Sequence, residues 1–388
     1  MFGIHLRQSK LSQCQNIDDL REAARRRAHK MVFDYIDGGA DDEKTLAQNS
    51  HAFNKYALLF RVLTGVDDID TSVTLLGQKM DQPFFCSPSA GNRLFHTEGE
   101  RAVAKAAAAA GVVYSLSTLS SVPMEEIAAL TEGPKWFQLY VWRDRVLVKE
   151  MLDRARAAGF QALILTVDLP IAGNRERDPR NGLTIPPRYG PRQMIEALKA
   201  PFWTYDFVSS APIKYANLAA DTPAVSLADF VAQQLHAGFN WRDAEWLLGE
   251  WNGPSVIKGV VRDDDARQAA ELGFNAVMVS NHGGRQLDHS PAPIDVLEGI
   301  VQAVGDRVEV ILDGGVRRGT DVLTALALGA KAVSFARPYL YGLAGGGELG
   351  VRRALTIMAE AVRRDMALMG VRSVSELDKS FVKKADVL

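Results

Sequence analysis

The sequence has little of three features that would place a protein in a special class. Only two cysteines, Cys14 and Cys86, occur in 388 residues, which excludes a disulfide framework and a cysteine-bound metal. The formal net charge is only −2, with basic residues scattered among acidic ones, which argues against a nucleic-acid partner. No apolar run is long enough to span a membrane, and Met1 to Gln15 carries no signal-peptide core. We therefore expect a protein of the cytoplasm, without a metal site.

The glycine-rich nucleotide motif GxGxxG is also missing after the first apolar run, so a nicotinamide site of the Rossmann type is unsupported. The chain instead shows a regular alternation. Helical segments such as 98–110, 144–158, 263–272 and 319–328 separate most of eight short apolar runs. The runs are 83–90, 114–118, 135–140, 161–168, 255–260, 276–282, 308–315 and 332–338. This alternation predicts the α/β class and a (β/α)8 TIM barrel.

Two segments lie outside this alternation. Residues 17–50 look helical and predict a cap that precedes the barrel. About 85 residues separate Asp168 from Ser255, which is far longer than an ordinary βα loop and predicts an insertion after the fourth strand. We expect a single domain over 1–388, made of an N-terminal cap (1–80), a barrel (83–370) and the insertion (169–254).

Hydrogen-bonding and charged side chains stand where the apolar runs end. A barrel of this class gathers its active site at the carboxyl ends of its strands, and a barrel used only as a scaffold would not need polar groups there. The residues at these ends are Ser89, Ala90, Ser117, Thr118, Gln138, Tyr140, Thr166, Asp168, Lys258, His282, Arg285, Asp313, Arg317 and Arg337. The sequence therefore predicts an active site at this end of the barrel.

The sixth run leads into the motif SNHGGR at 280–285. His282 can act as a base near neutral pH, and Arg285 can form a bidentate pair with a carboxylate. A lone histidine at a strand end is more often structural, but the combination with two glycines and an arginine favours chemistry. The motif predicts proton removal from an anion.

A second motif, DGGVRRGTD at 313–321, is typical of a phosphate cradle. Glycines let backbone amides approach an anion, the following helix points its N-terminus at it, and Arg317 adds charge. Arg337 ends the next strand, and barrels often hold a phosphate beside their last two strands. A merely solvated loop is the alternative. Lys258, at the end of the fifth run, is expected to lie in space between the phosphate side and the histidine side of the site. A flavin mononucleotide (FMN) fits such a site better than a nicotinamide.

Five motifs now stand in order: the two above, FDYIDGGADDE at 33–43, FQLYV at 137–141 and TVD at 166–168. Together they resemble the FMN-dependent 2-hydroxy acid oxidising family, which includes glycolate oxidase, L-lactate oxidase and dehydrogenase, flavocytochrome b2 and mandelate dehydrogenase. The resemblance covers essentially the whole chain. It implies oxidation of an (S)-2-hydroxy acid, of the L-lactate, mandelate or longer-chain type, to the 2-keto acid.

The resemblance also implies roles for individual residues, although Asp168, Lys258 and Gln138 taken singly could equally be structural. His282 would be the base, and Asp168 would orient it. Arg175, Arg285 and Tyr35 would bind the substrate carboxylate, and Tyr140 would contact the substrate hydroxyl. Lys258 would lie beside the flavin. The other cofactor contacts would be Ser89, Ala90, Ser117, Gln138, Thr166, Asp313, Gly315, Arg317, Ala336 and Arg337.

Some positions depart from the family pattern. Leu119 stands where glycolate oxidases carry tryptophan, and Ala172 replaces a larger aliphatic residue, so both changes enlarge the substrate pocket. Ala336 stands where many relatives have glycine. The run NRERDPRNGLTIP at 174–186 is closer to mandelate dehydrogenase, whereas Ala90, where some dehydrogenases have glycine, points towards an oxidase. The electron acceptor therefore stays open between a quinone, a cytochrome and dioxygen.

The insertion carries apolar and aromatic residues interleaved with lysines between Ile195 and Leu218. This mixture suits a membrane interface or, equally, a lid packed on the barrel. The resemblance to mandelate dehydrogenase, in which the corresponding loop is a membrane anchor, favours peripheral contact with the inner face of the cytoplasmic membrane. Relatives are commonly tetramers, so a homo-oligomer is expected. A flavin-binding barrel without turnover is the remote alternative.

Overall fold

Eight parallel strands close into a barrel in the computed structural model, which describes residues 11–183, 190–218 and 235–385. We number them β1 to β8: Phe84–Cys86, Tyr114–Ser117, Lys135–Tyr140, Ala162–Thr166, Ser255–Val260, Ala276–Val279, Glu309–Asp313 and Ala332–Phe335. Each strand pairs with the next, and β8 returns to β1 through Val333 and Phe84. The predicted (β/α)8 barrel is confirmed.

A helix follows each strand before the next one begins or the chain leaves the barrel. In order these helices are Gly99–Ala109, Met124–Leu130, Arg145–Ala157, Trp241–Trp251, Asp263–Leu272, Pro293–Val304, Gly319–Ala327 and Arg337–Met369, the last interrupted at Gly346 and Gly347. The strand residues are almost all buried, because their side chains face either the barrel interior or this layer of helices. The apolar runs of the sequence are explained by burial on both faces.

The predicted N-terminal cap consists of the helices Ile17–Arg27, Lys30–Asp37 and Lys44–His51. The third helix is capped from the barrel, since the backbone amides of Lys44 and Thr45 donate to the carboxylate of Asp288 at 3.3 and 2.7 Å. Two small antiparallel pairs complete the periphery: Tyr56–Leu58 with Val382–Lys384, and Val73–Leu75 with Gln78–Met80. The cap is therefore fastened to the loop that follows β6.

The predicted insertion after β4 is also confirmed. Its described parts contain the helices Arg177–Arg180, Pro191–Lys199 and Pro201–Ser209. Residues 184–189 and 219–234 lie outside the described ranges, and with them the proline-rich piece at 185–187. Trp203 is buried and its indole N–H donates to the carbonyl of Leu94 at 2.9 Å. Within the described ranges no helix is both long and apolar enough to cross a bilayer.

Candidate active site

A cavity of about 700 Å³ opens at the carboxyl end of the barrel. Two of the predicted site residues stand just behind its wall, Ser117 and Asp168. The others line it: Tyr35, Ser89, Ala90, Gln138, Tyr140, Thr166, Arg175, Lys258, His282, Arg285, Asp313, Gly315, Arg317, Ala336 and Arg337. The fold thus brings together residues that are far apart in the sequence, as with Ile36 and Arg337 (separation 301).

His282 and Asp168 form the central pair of the cavity. The Nδ1 atom of His282 lies 2.8 Å from Oδ1 of Asp168, and the imidazole is only partly exposed. The backbone of His282 adopts a left-handed φ of 57°, and its N–H donates to the hydroxyl of Ser280 at 3.1 Å. A Cβ at Gly259 would come within 2.6 Å of the Asp168 side chain, so glycine is required there for the carboxylate to approach the histidine.

The electrostatic surroundings keep Asp168 ionised. Burial would raise the pKa of this carboxyl, but His282 and Lys258 beside it outweigh burial and lower the pKa below its usual value. A carboxylate against one nitrogen of an imidazole fixes the tautomer and stabilises the protonated ring. The pair can therefore take up a proton at the nitrogen of His282 that does not face Asp168.

Lys258 and Asp313 form a buried ion pair at the floor of the cavity, with 3.1 Å between Nζ and Oδ2. Two serines complete the carboxylate's hydrogen bonds: Ser280 donates to Oδ2 at 2.7 Å and Ser334 to Oδ1 at 2.6 Å. Burial opposes the charge on Lys258, but Asp313 and Asp168 raise the pKa of its ammonium. A fixed positive charge is thus held beside the pair of His282 and Asp168.

Two guanidiniums of the cavity wall lie against the ring of one tyrosine. The Cζ atoms of Arg285 and Arg175 lie 4.7 and 5.3 Å from the ring centroid of Tyr35. Arg285 donates to the carbonyls of Tyr35 at 2.5 Å and Gly38 at 3.2 Å, whereas Arg175 pairs with Asp178 at 2.8 Å. Burial and the neighbouring Arg175 lower the pKa of Arg285. A carboxylate ligand would offset the repulsion between these two positive charges.

Tyr140 also faces the cavity. Burial raises the pKa of its phenol, so the hydroxyl stays protonated at neutral pH. A neutral phenol can donate a hydrogen bond to a substrate oxygen without adding charge.

Arg317 and Arg337 also line the cavity, beside Gly315. Arg337 donates to the carbonyls of Ile36, Gly283 and Gly38 at 2.9 to 3.0 Å, and burial lowers its pKa to about 10. Neither arginine forms an ion pair with a carboxylate among the described residues. The part of the cavity beside these two arginines is suited to a phosphate.

Two buried polar atoms in the cavity wall have no hydrogen-bond partner within the described part of the chain. They are Nε2 of Gln138 and Oγ1 of Thr166. The other end of the Gln138 amide is fixed, because Ser117 donates to its Oε1 at 3.0 Å. Buried polar groups are rarely left unpaired, so these two atoms indicate a polar ligand against this wall.

Comparison with known proteins identifies the family. The sequence model described as FMN-dependent dehydrogenase matches residues 24–384. The chain belongs to this family. It is 42% identical over 369 residues to the L-lactate dehydrogenase of Caulobacter vibrioides, covering 94% of this chain and 96% of the relative. It is 41% identical over 371 residues to the L-lactate oxidase of Nostoc sp., covering 95% and 97%.

A solved structure is similar over the same length. The monotopic membrane protein (S)-mandelate dehydrogenase matches with a TM-score of 0.94 and 34% identity, covering 96% of this chain and 100% of that chain. The protein is therefore an FMN-dependent oxidoreductase of the family that oxidises 2-hydroxy acids, and its partners are a small hydroxy acid and an electron acceptor.

The cavity fits FMN on grounds that do not depend on the comparisons. Gln138 and Thr166 offer the unpaired donor and hydroxyl that an isoalloxazine ring could use, and Arg317 and Arg337 offer uncompensated positive charge for a phosphate. Gly315 has a φ of 82°, and a Cβ there would lie 2.0 Å from the backbone oxygen of Asn49. The phosphate motif therefore requires glycine at this position.

Sequence reasoning missed several residues of the site. Ser280 lies in the histidine motif, but nothing in the sequence showed that its hydroxyl contacts Lys258, Asp313 and the His282 amide. Tyr215, from the insertion, lines the cavity together with Leu119 and Ala172. The length of the insertion was a signal that it could reach the site, but the particular tyrosine could not have been chosen from the sequence.

The charge at the Arg337 end yields a direct prediction. Arg337→Gln should weaken FMN binding on the order of 10- to 100-fold, because a hydrogen bond to a charged group contributes about 1.5–3 kcal/mol. Titration of the apoprotein followed by flavin fluorescence measures this affinity. Riboflavin, which lacks the phosphate, should bind the variant and the wild type alike. Arg318→Gln, at an exposed position of the motif 313–321, is the control. Equal FMN affinity in all three proteins would contradict the assignment.

Proposed function

We propose that the protein oxidises an (S)-2-hydroxy acid to the corresponding 2-keto acid, with His282 as the base. One observation carries the proposal. His282, whose Nδ1 lies 2.8 Å from Asp168, lines the same cavity as the guanidiniums of Arg175 and Arg285. A base and a carboxylate-binding pair are what removal of a proton from a 2-hydroxy acid requires.

In this proposal Arg175 and Arg285 bind the substrate carboxylate, with the phenol of Tyr35 beside it, and thereby orient the substrate. Tyr140 donates a hydrogen bond to the substrate hydroxyl. His282 accepts a proton from the substrate, and Asp168 stabilises the imidazolium that results. FMN, when bound, supplies the two-electron acceptor.

The cofactor would be held by residues on four sides of the cavity. Gln138 and Thr166 would face its ring, with Ser117 behind Gln138 and with Ser89 and Ala90 alongside, and Lys258 would place a positive charge near it. Asp313 would bind the ribityl chain. The phosphate would be bound by Gly315, Arg317, Ala336 and Arg337.

The role of His282 can be tested in the holoenzyme. His282→Ala should keep FMN bound and slow anaerobic flavin reduction by about 10²- to 10⁴-fold, because only the general base is removed. Stopped-flow absorbance of the flavin gives the rate. His289→Ala, an exposed histidine in the same loop, should reduce at the wild-type rate. A His282→Ala enzyme that keeps near-normal reduction would remove this residue from the mechanism.

We further propose that the substrate carries a long or aromatic side chain. Leu119 and Ala172 leave room in the cavity wall, and Tyr215, Ile171 and Phe95 make that part of the wall apolar or aromatic. Tyr215 takes back some of the volume that the two smaller residues release. The preference among acids should therefore be graded rather than absolute.

The substrate proposal is tested with a panel of acids. The wild-type enzyme should be reduced by mandelate and 2-hydroxyoctanoate at least as efficiently as by glycolate. Leu119→Trp should lower the efficiency with the two large acids about 10-fold or more relative to glycolate, since a clash of this size costs about 1–3 kcal/mol. A wild-type enzyme that strongly prefers glycolate would show that the pocket is filled by other residues.

We propose that the insertion docks on a membrane surface and that a membrane quinone or a cytochrome accepts the electrons. The insertion helices Pro191–Lys199 and Pro201–Ser209 carry six large apolar side chains that are more than half exposed. They are Met194, Ile195, Leu198, Phe202, Tyr205 and Val208. Trp203 and Phe207, on the other side, stack on each other at 4.9 Å. Such a split between an exposed apolar side and a packed side supports an interfacial helix. The likeness to a monotopic membrane enzyme supports it too.

The membrane proposal is tested by sedimentation with anionic phospholipid vesicles at low salt. The triple substitution of Phe202, Tyr205 and Val208 by serine should abolish co-sedimentation while leaving flavin reduction intact, because these side chains are exposed. Substitution of Phe60, Val62 and Leu63 by serine removes a comparably exposed apolar group elsewhere and should have no effect. A wild-type protein that ignores vesicles and is rapidly reoxidised in air would make the segment a lid and the enzyme an oxidase.

The single-domain division of the chain and a homotetramer remain proposals that rest on the family resemblance.

A further inference from the structure

We propose that Asn49, in the N-terminal cap, is a positioning residue for His282. Asn49 and Asn281, the neighbour of the histidine, face each other through a reciprocal pair of amide hydrogen bonds. Nδ2 of Asn49 donates to Oδ1 of Asn281 at 2.9 Å, and Nδ2 of Asn281 donates to Oδ1 of Asn49 at 2.7 Å. Both side chains are buried, with relative exposures of 2% and 5%.

The amide of Asn281 has every hydrogen-bonding position in use. Besides its two bonds with Asn49, its Nδ2 donates to the carbonyl of Pro291 at 3.0 Å, and its Oδ1 accepts the N–H of Gly284 at 3.1 Å. An asparagine side chain offers two donor hydrogens and two acceptor lone pairs. The residue before His282 is therefore fixed to the cap and to both sides of its own loop.

The loop needs such support, because its backbone conformation is unfavourable. His282 has a φ of 57°, a left-handed conformation that costs a residue with a side chain free energy, and it persists only where the surroundings impose it. Asn281 immediately precedes this residue, and Gly284 follows two positions later. The two ends of the strained turn are thus held by one amide, and Asn49 holds that amide.

The pair also borders the proposed phosphate loop. A Cβ placed on Gly314 would lie 3.8 Å from Nδ2 of Asn49 and 3.9 Å from Oδ1 of Asn281, and the backbone oxygen of Asn49 borders Gly315. One pair of side chains therefore joins the cap helix Lys44–His51 to the histidine loop, and it lies close to the loop after β7.

The substrate-binding arginine does not depend on this pair to the same degree. Arg285 is held separately by the carbonyls of Tyr35 and Gly38. Loss of Asn49 should therefore displace the base more than the carboxylate-binding group. A small displacement of a reacting group can cost on the order of 100-fold in rate. A residue with a merely structural role would lower stability without separating rate from binding.

The inference rests on the proposed role of His282 and is tested in the FMN-loaded enzyme. Asn49→Ala should lower the limiting rate of anaerobic flavin reduction by roughly 10- to 100-fold, while the dissociation constant of the acid changes less than about threefold. The dissociation constant of the 2-keto acid product, measured by its perturbation of the oxidised flavin spectrum, should be equally unaffected.

A second variant covers the case in which Asn49→Ala fails to fold. Asn281→Asp is isosteric and keeps the acceptor for the Gly284 amide, but it loses the bonds donated to Asn49 and Pro291, so the limiting rate should fall in the same way. Asn275→Ala is the control: its side chain accepts from the Ser255 amide at 2.9 Å at the opposite end of the barrel, and the limiting rate should stay at the wild-type value.

The outcomes separate this inference from the function on which it rests. If the folded Asn49 and Asn281 variants keep the wild-type limiting rate, the pair is only a structural cross-link and the inference is overturned. If the dissociation constant rises in proportion to the loss of rate, the pair acts through the substrate site and the inference is likewise overturned. A normal rate in His282→Ala would instead overturn the proposed function.

Discussion

Positive charge gathered around one cavity without matching negative charge is the constraint on which the site depends. Within the described ranges Arg285, Arg317 and Arg337 donate only to backbone carbonyls, and the carboxylates Asp168 and Asp313 of the same site are engaged by His282 and Lys258. Half-buried guanidiniums in this state are costly unless anions neutralise them. A cofactor phosphate and a substrate carboxylate bound in the same cavity would do so.

The fold holds these charged groups in place by attaching them to buried strands and to the cap. The charged groups stand at the carboxyl ends of strands whose other residues are buried, and backbone carbonyls of the cap, from Tyr35 to Gly38, receive the guanidinium hydrogens. The cap therefore does more than cover the barrel. It supplies acceptors for two arginines and, in the further inference, the amide that holds the histidine loop.

Much of this could be predicted from the sequence, for physical reasons that differ between elements. The strands were predicted because burial on both faces requires apolar runs, and the residues at their ends were found because polar groups stand out against those runs. The links between Asn49 and Asn281, and between Asp288 and the helix at Lys44, were not found. Each joins residues more than 230 positions apart, as with Asn49 and Asn281 (separation 232), and an asparagine or aspartate alone gives no sign of its partner. Tyr215 was missed as a cavity residue because the path of the insertion depends on tertiary packing.

The most direct test of the account compares a 2-hydroxy acid with its methyl ester on the wild-type holoenzyme under anaerobic conditions. The ester keeps the reacting carbon and hydroxyl but removes the carboxylate charge. If uncompensated guanidiniums bind the substrate, (S)-mandelate should saturate the enzyme and bleach the flavin, whereas its methyl ester at the same concentration should bind far more weakly and reduce it far more slowly. Equal affinity and equal rates for acid and ester would contradict the account.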